Sequence, residues 1–383
     1  MSGRLQLLLV SGTRADLGLW TPILREAERR AGVEASVLAT AMHLDPRFGD
    51  TIAEVRALGF RIAGEVPCTP AGDGRGDMAV AIGQALVGMV PVIEREAPSW
   101  LLVLGDRGEQ LAAALAATHL GIAVAHLHGG EVTQGVVDDT VRDLVSRLAN
   151  LHLPATADAA ARLASMGEEP WRIERVGAPG LDLLATEASG DLAALRGRYG
   201  LGPGPYLLVV QHPETVGDAD PVADLGETLE AVSRSGLPSL GLFPNADAGG
   251  RAMLARLADP PPGMRVVPTL PRAEYATLLA GAAALVGNSS SGIIEAPLLG
   301  VPAVNVAERQ SGRTRGDNVL DVPAEAAAIA SAIERATDSA WREGLSRSSP
   351  YGDGTAAPRV LDVLQRVPRD SRLFRKRVGT PVE

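Results

Sequence analysis

WLLVLGDRGEQLAAALAATHLGIAVAHLHGGE, residues Trp100–Glu131, holds two short apolar runs separated by an alanine-rich helical pattern. Trp100–Leu104 reads as a strand, Gly108–His119 as a helix and Ile122–Leu127 as a second strand. Strands fed through a helix of this length imply a parallel pair and a βαβ unit. The same rhythm extends both ways. Leu5–Val10, Ser36–Thr40 and Leu151–Pro154 read as further strands, and Leu17–Arg30, Met78–Glu96, Val137–Asn150 and Ala157–Met166 as helices. After the turn-rich Gly200–Gly204 it restarts, with strands at Tyr206–Val210, Ser239–Phe243, Arg265–Val267, Ala283–Val286 and Ala303–Val306. The expected fold is α/β: two Rossmann-like, doubly wound domains facing a cleft. The expected boundaries are 1–184 for the first domain, 185–368 for the second and 369–383 for a basic, flexible tail. Ligands of such sheets sit beyond the strand carboxyl ends, so the cleft is the expected site.

Composition narrows the chemistry. The 383 residues carry a net charge of -10, which argues against nucleic acid as a partner. Of 36 basic residues only Lys376 is a lysine. A P-loop therefore lacks its lysine, and Schiff-base chemistry would depend on a tail residue. The single cysteine, Cys68, allows neither an internal disulfide nor a cysteine zinc cluster and fits a reducing cytoplasm. The apolar run at the N-terminus is too short for a membrane segment and reads as a buried first strand.

The candidate chemistry lies at strand ends. After the first strand comes Ser11-Gly12-Thr13-Arg14, a glycine turn that can present backbone N–H groups to an anion. The dinucleotide fingerprint G-x-G-x-x-G is absent there. Asp106 ends one strand, His126-Leu127-His128-Gly129-Gly130-Glu131 ends the next, and Asp138 and Asp139 open the following helix. Such a group can supply a general acid and a general base when environment separates their pKa values. It also admits a divalent cation on Asp106, His126, His128 and Glu131, since strand alternation places the two histidines on one face. In the second half, His212 and Asn245 follow successive strands. Ser289–Ser291 and Glu295 fall where a helix begins after Ala283–Val286. Serines there either cap the helix or, with its N-terminus, hold a phosphate, and Glu295 either faces solvent or accepts from ribose hydroxyls.

HLHGGEVTQGVVDDTVR (His126–Arg142), RVGAPGLD (Arg175–Asp182) and GNSSSGIIEAPLLGVPAVNVAERQSGR (Gly287–Arg313) resemble UDP-N-acetylglucosamine 2-epimerases, nearest to the hydrolysing branch of sialic-acid-type pathways. SGTRADLG (Ser11–Gly18), MHLDPRFG (Met42–Gly49), LGDR (Leu104–Arg107), HPET (His212–Thr215) and FPNADAG (Phe243–Gly249) match further segments in order. The resemblance implies the two-domain fold of GT-B-type glycosyltransferases, a cytoplasmic homodimer, a UDP-sugar as ligand, and no cofactor or metal. It assigns Arg14, Gly18, Arg107, His212, Asn245, Leu270, Ser289, Ser290, Glu295 and Arg309 to the nucleotide. It assigns Asp106, Glu131, Asp138, Asp139 and His212 to the chemistry. The implied reaction eliminates UDP to a 2-acetamidoglucal, inverts carbon 2 and adds water. One position departs from the pattern. Where the hydrolysing branch carries histidine after the DD-x-x-R arginine, this chain has Asp143. Non-hydrolysing epimerisation, a glycosyltransferase and a nucleotide-sugar sensor of the same fold are the alternatives.

Overall fold

A computed structural model describes residues 4–48, 51–71, 75–132, 137–214, 220–244 and 249–377. The chain forms two compact units. The first carries a six-stranded sheet of β1 (Leu5–Ser11), β2 (Val33–Thr40), β3 (Ile62–Val66), β4 (Trp100–Leu104), β5 (Val124–Leu127) and β6 (Leu151–Leu153), in the order β3-β2-β1-β4-β5-β6. The second carries β7 (Leu207–Val210), β8 (Ser239–Leu242), β9 (Met264–Val267), β10 (Ala284–Gly287), β11 (Ala303–Val306) and β12 (Val319–Val322), in the order β12-β11-β10-β7-β8-β9. Every pairing is parallel, and both sheets have the same doubly wound order. The topological switch points lie between β1 and β4 and between β7 and β10.

Central strands of such sheets are covered on both faces, which is why β4 is an unbroken apolar run with all five residues buried. β3 and β12 were not expected from the sequence. They are sheet edges, half-exposed, and each includes an acidic residue, so neither shows a continuous apolar run. In the first unit α1 (Arg14–Arg29), α2 (Thr51–Ala57), α3 (Arg75–Glu96), α4 (Gly108–His119), α5 (Val137–Leu148) and α6 (Ala157–Ser165) surround the sheet. Helix α1 starts three residues before its expected first residue because Thr13 and Asp16 form a reciprocal capping box. Strand alternation sends Leu7 and Leu9 to one face with Trp20 and Ile23, and Leu8 and Val10 to the other with Ala85 and Met89. Helix α3 is long and apolar enough to cross a membrane by length and composition. It packs Ala85, Met89 and Ile93 into the core but leaves Met78, Val80 and Val87 exposed.

The expected C-terminal boundary needs correction. The first unit takes the chain to Asp182 and then residues 354–377 as well, while the second takes Leu183–Asp353. The physical reason is an apolar stripe. The helix Ala356–Arg366 buries Val360, Leu361 and Leu364 with the Trp20 and Trp100 side of the first sheet. Trp100 Nε1 donates to the Leu364 carbonyl at 3.1 Å. The segment expected as a flexible tail is also held down to Arg377. It forms a short helix, Ser371–Phe374, and Arg172 donates to the carbonyls of Leu373 and Arg372 at 2.8 and 2.9 Å.

Candidate active site

At the first switch point, Gln110 stitches the two central strands together. Its amide accepts from Leu104 N and donates to the Val10 carbonyl, both at 3.2 Å. The loop after β1 does not hold an open anion cradle, contrary to expectation. Asp16 Oδ2 accepts from Gly12 N at 2.9 Å and Thr13 N at 3.1 Å, so the chain's own carboxylate takes these N–H groups. Burial pushes the Asp16 carboxyl up to about 6, aided by neighbouring Glu109. Arg107 donates to Glu109 at 2.5 Å, and a Cβ at Gly12 would run into the Glu109 carboxylate. Arg14 is exposed and forks onto Glu54 of α2, with one N–H at 2.7 Å. Gly18 lies half-buried in the second turn of α1.

Beyond β4 and β5 two of the expected carboxylates, Asp106 and Asp139, converge on an arginine that sequence reasoning did not single out. The Arg142 side chain is 4% exposed. It pairs with Asp106, and it donates to Asp139 at 2.6 Å and to the Glu131 main-chain carbonyl at 2.8 Å. The i,i+3 spacing of Asp139 and Arg142 on one helix face was the available signal. His128 leaves β5 in the left-handed region, φ +59°, and its Nδ1 lies 2.5 Å from Glu131 Oε1. Asp138 opens α5, but its side chain lies outside the described residues.

The two histidines have separate partners and do not form a metal pair. His126 is fully buried, with Nε2 2.8 Å from the Gly105 carbonyl and Nδ1 3.1 Å from Ser146 Oγ. Both ring nitrogens are committed to protein, and burial holds the imidazole down to about 3. Among the described residues no group of His, Cys, Asp and Glu has the arrangement of a metal site. Asp143 is also engaged: it accepts a fork from Arg162 of α6 at 2.8 and 3.0 Å.

The second switch point is built around Asn288. Its side chain accepts from His212 N at 2.7 Å and donates to the His212 carbonyl at 2.9 Å, tying the loop after β7 to the end of β10. Arg309 and Gln310 donate to the Asn288 carbonyl at 3.2 and 2.8 Å, and Glu214 accepts from Glu308 N and Arg309 N at 2.8 and 2.7 Å. Neither Asn288 nor Glu214 was expected. Burial, and then the Arg309 cation, hold His212 down to about 4, so it is neutral at pH 7. The serine run caps the helix through Ser289 rather than through Ser290. Ser290 already has helical angles and no side-chain cap bond, whereas a capping residue needs extended backbone. The helix Ser291–Ile294 is a single turn, and Ser289 Oγ accepts from Ser291 N at 3.3 Å. Glu295 follows it. Burial raises the Glu295 carboxyl against the lowering effect of Arg272. Leu270 lies between β9 and the helix Arg272–Ala280, packed on the second unit's core. Asn245 lies outside the described residues.

The profile of the family described as UDP-N-acetylglucosamine 2-epimerase matches residues 25–365. The chain belongs to the UDP-N-acetylglucosamine 2-epimerase family. It is 38% identical to the hydrolysing UDP-N,N'-diacetylbacillosamine 2-epimerase of Legionella pneumophila, over 97% of this chain and 98% of that protein. It is 31% identical to a UDP-N-acetylglucosamine 2-epimerase of Neisseria meningitidis, over 86% and 87% of the two chains. Among solved structures, the UDP-GlcNAc-bound 2-epimerase from Neisseria meningitidis superposes with a TM-score of 0.81 at 17% identity. That match covers 95% of this chain and 100% of that one, and it shows the shared fold. The family's GT-B-like architecture agrees with the two parallel sheets described above.

Proposed function

We propose that this chain is a hydrolysing 2-epimerase acting on a UDP-linked 2-acetamido sugar, either UDP-N-acetylglucosamine or a 4-acetamido relative. The observation that carries the reading is the gathering of the Asp106 and Asp139 carboxylates on Arg142, which also holds the main chain of Glu131, at the carboxyl ends of β4 and β5. A pure binding protein needs no such carboxylate set. The hydrolysing Legionella relative supports both the water addition and the diacetamido option.

The chemistry follows from the sugar. The carbon-2 proton is not adjacent to a carbonyl carbon, so its direct removal is costly. Anti elimination avoids a free carbanion: a carboxylate takes the proton, the electron pair forms the carbon 1–carbon 2 double bond, and the anomeric oxygen leaves with UDP. Glu131, oriented by His128, and Asp106 or Asp139, held by Arg142, are the acid and base for that step and for reprotonation from the opposite face. His212, Asn245, Ser289, Ser290 and Arg309 hold the departing UDP, with Arg14 and Arg107 as further cations. Gly18, Leu270 and Glu295 complete the nucleotide set, and Asp138 belongs to the acid–base group. Water at carbon 1 then yields the free 2-epimeric sugar. No redox cofactor or metal enters.

A second reading is epimerisation with re-addition of UDP. It is favoured by one observation: the position that carries histidine in the hydrolysing branch holds Asp143, whose carboxylate is occupied by Arg162. The exposed Met78, Val80 and Val87 of α3 fit a covered face in a homodimer, and the free, buried Cys68 fits a reducing cytoplasm. Asp106→Asn and Glu131→Gln should each lower kcat by about 10²- to 10⁴-fold while UDP affinity is unchanged. Turnover kinetics with calorimetric UDP titration measure both. Wild-type turnover in either variant contradicts the assignment.

A further inference from the structure

Lys376 is the chain's only lysine, and it is spent in a buried place. Its side chain is 11% exposed, and its ammonium donates to the carbonyls of Ser146, Arg147 and Ala149 at 2.9, 3.0 and 2.9 Å. These carbonyls close α5. The last carbonyls of a helix have no partner within it and carry the negative end of its dipole. Three N–H bonds fanning from one nitrogen suit an ammonium and not a planar guanidinium. The same nitrogen lies 2.7 Å from Glu168, whose side chain is fully buried and also accepts from Arg147 at 3.1 Å and His152 at 2.9 Å.

Helix α5 also carries the acid–base cluster. Asp139 sits in its first turn, Arg142 follows, and Ser146 lies in its last turn. The Ser146 hydroxyl bonds His126 Nδ1, and His126 Nε2 donates to the Gly105 carbonyl, one residue before Asp106. Both ends of α5 are thus tied to the loop that presents Asp106: one through Arg142, the other through Ser146 and His126. The ammonium of Lys376 anchors the second end.

We propose that Lys376 is a positioning residue for the acid–base cluster: by fixing the carboxyl end of α5 from the C-terminal segment, it keeps Arg142, Asp139 and Asp106 in register. The proposal rests on the epimerase reading for its kinetic consequence but not for its structural one. Lys376→Met, in the full chain, removes the charge and keeps the length. It should lower kcat about 10- to 100-fold, as expected for a small displacement of reacting groups, with KM and UDP affinity within about twofold of wild type. Amide hydrogen exchange across residues 139–148 should accelerate together with it. Wild-type kcat in the folded variant, or a kcat loss with unchanged α5 exchange, overturns the proposal. If Lys376→Met does not fold, Glu168→Gln is measured the same way. It should show the same paired changes, and a folded Glu168→Gln with wild-type kcat and exchange overturns it. Should wild-type protein itself show no carbon-2 exchange on a UDP-sugar, the epimerase reading fails, and the α5 exchange data then decide the anchoring alone.

Discussion

Arg142 holds two carboxylates and a main-chain carbonyl from a position that is almost wholly buried. The carboxylates themselves were visible as a cluster of acidic residues at strand ends. The arginine that organises them was not, because a cation in DD-x-x-R reads equally well as a solvated helix charge until burial is known. The same holds for Asn288, which binds both backbone polar groups of His212 across two strands. At the first turn, reading the chain residue by residue led to the wrong expectation for a clear reason: a glycine turn before a helix offers its N–H groups to any anion, and Asp16 four residues on is the nearest one. Buried imidazoles give a pH dependence with a definite sign. His126 and His212 have folded-state values near 3 and 4 against an ordinary 6.5. The unfolded chain takes up protons first, so stability is full above about pH 6.5 and is lost as pH falls from there toward about 4 for His212 and about 3 for His126. Asp16, raised to about 6, acts oppositely: its folded form protonates first, which eases its buried charge as pH falls from about 6. Urea midpoints at about pH 7 and about pH 5 should fall for wild type and fall less for His212→Gln. An equal fall in the two proteins contradicts the buried, neutral imidazole.

Among elements, β4 and β11 matched their expected bounds: β4 is a continuous apolar run between turns, and β11 is a fully buried, valine-rich strand broken only by Asn305. The edges β3 and β12 were hidden by their half-exposed, mixed sequences. The serine run admitted two readings, a helix cap or a phosphate site, and the chain geometry there is set one step earlier. Gly287 has φ +125°, and a Cβ there would collide with the Val210 carbonyl of the neighbouring strand. Only glycine lets β10 end this close to β7 and deliver Asn288 to His212. Gly287→Ala should therefore destabilise the second unit by about 1–3 kcal/mol through backbone strain, with added loss from the clash, and weaken UDP binding. Denaturant unfolding and UDP titration check this. Wild-type values in both would show that the strand end tolerates a side chain.

For the whole molecule, the two parallel domains were legible from the repeated strand–helix rhythm, and the family from ordered motifs along most of the chain. The return of the C-terminal segment to the first unit was not legible. An amphipathic helix declares that it has a buried face but not which sheet it covers. Val360, Leu361, Val363, Leu364 and Leu373 are all buried against the first unit. At about 1.5–3 kcal/mol for each buried side chain they contribute about 8–15 kcal/mol, the size of a domain's net stability. A chain ending at Asp353 should lose hydrogen-exchange protection throughout β1–β6, and protection equal to wild type would contradict the placement. The central claim concerns the fate of one proton. NMR of UDP-N-acetylglucosamine incubated with the protein in deuterated water tests it directly. Deuterium at carbon 2 of the 2-epimeric sugar, with UDP released, is the predicted result. Unexchanged protium at carbon 2, with the nucleotide-sugar intact, for both UDP-N-acetylglucosamine and its 4-acetamido relative would contradict it.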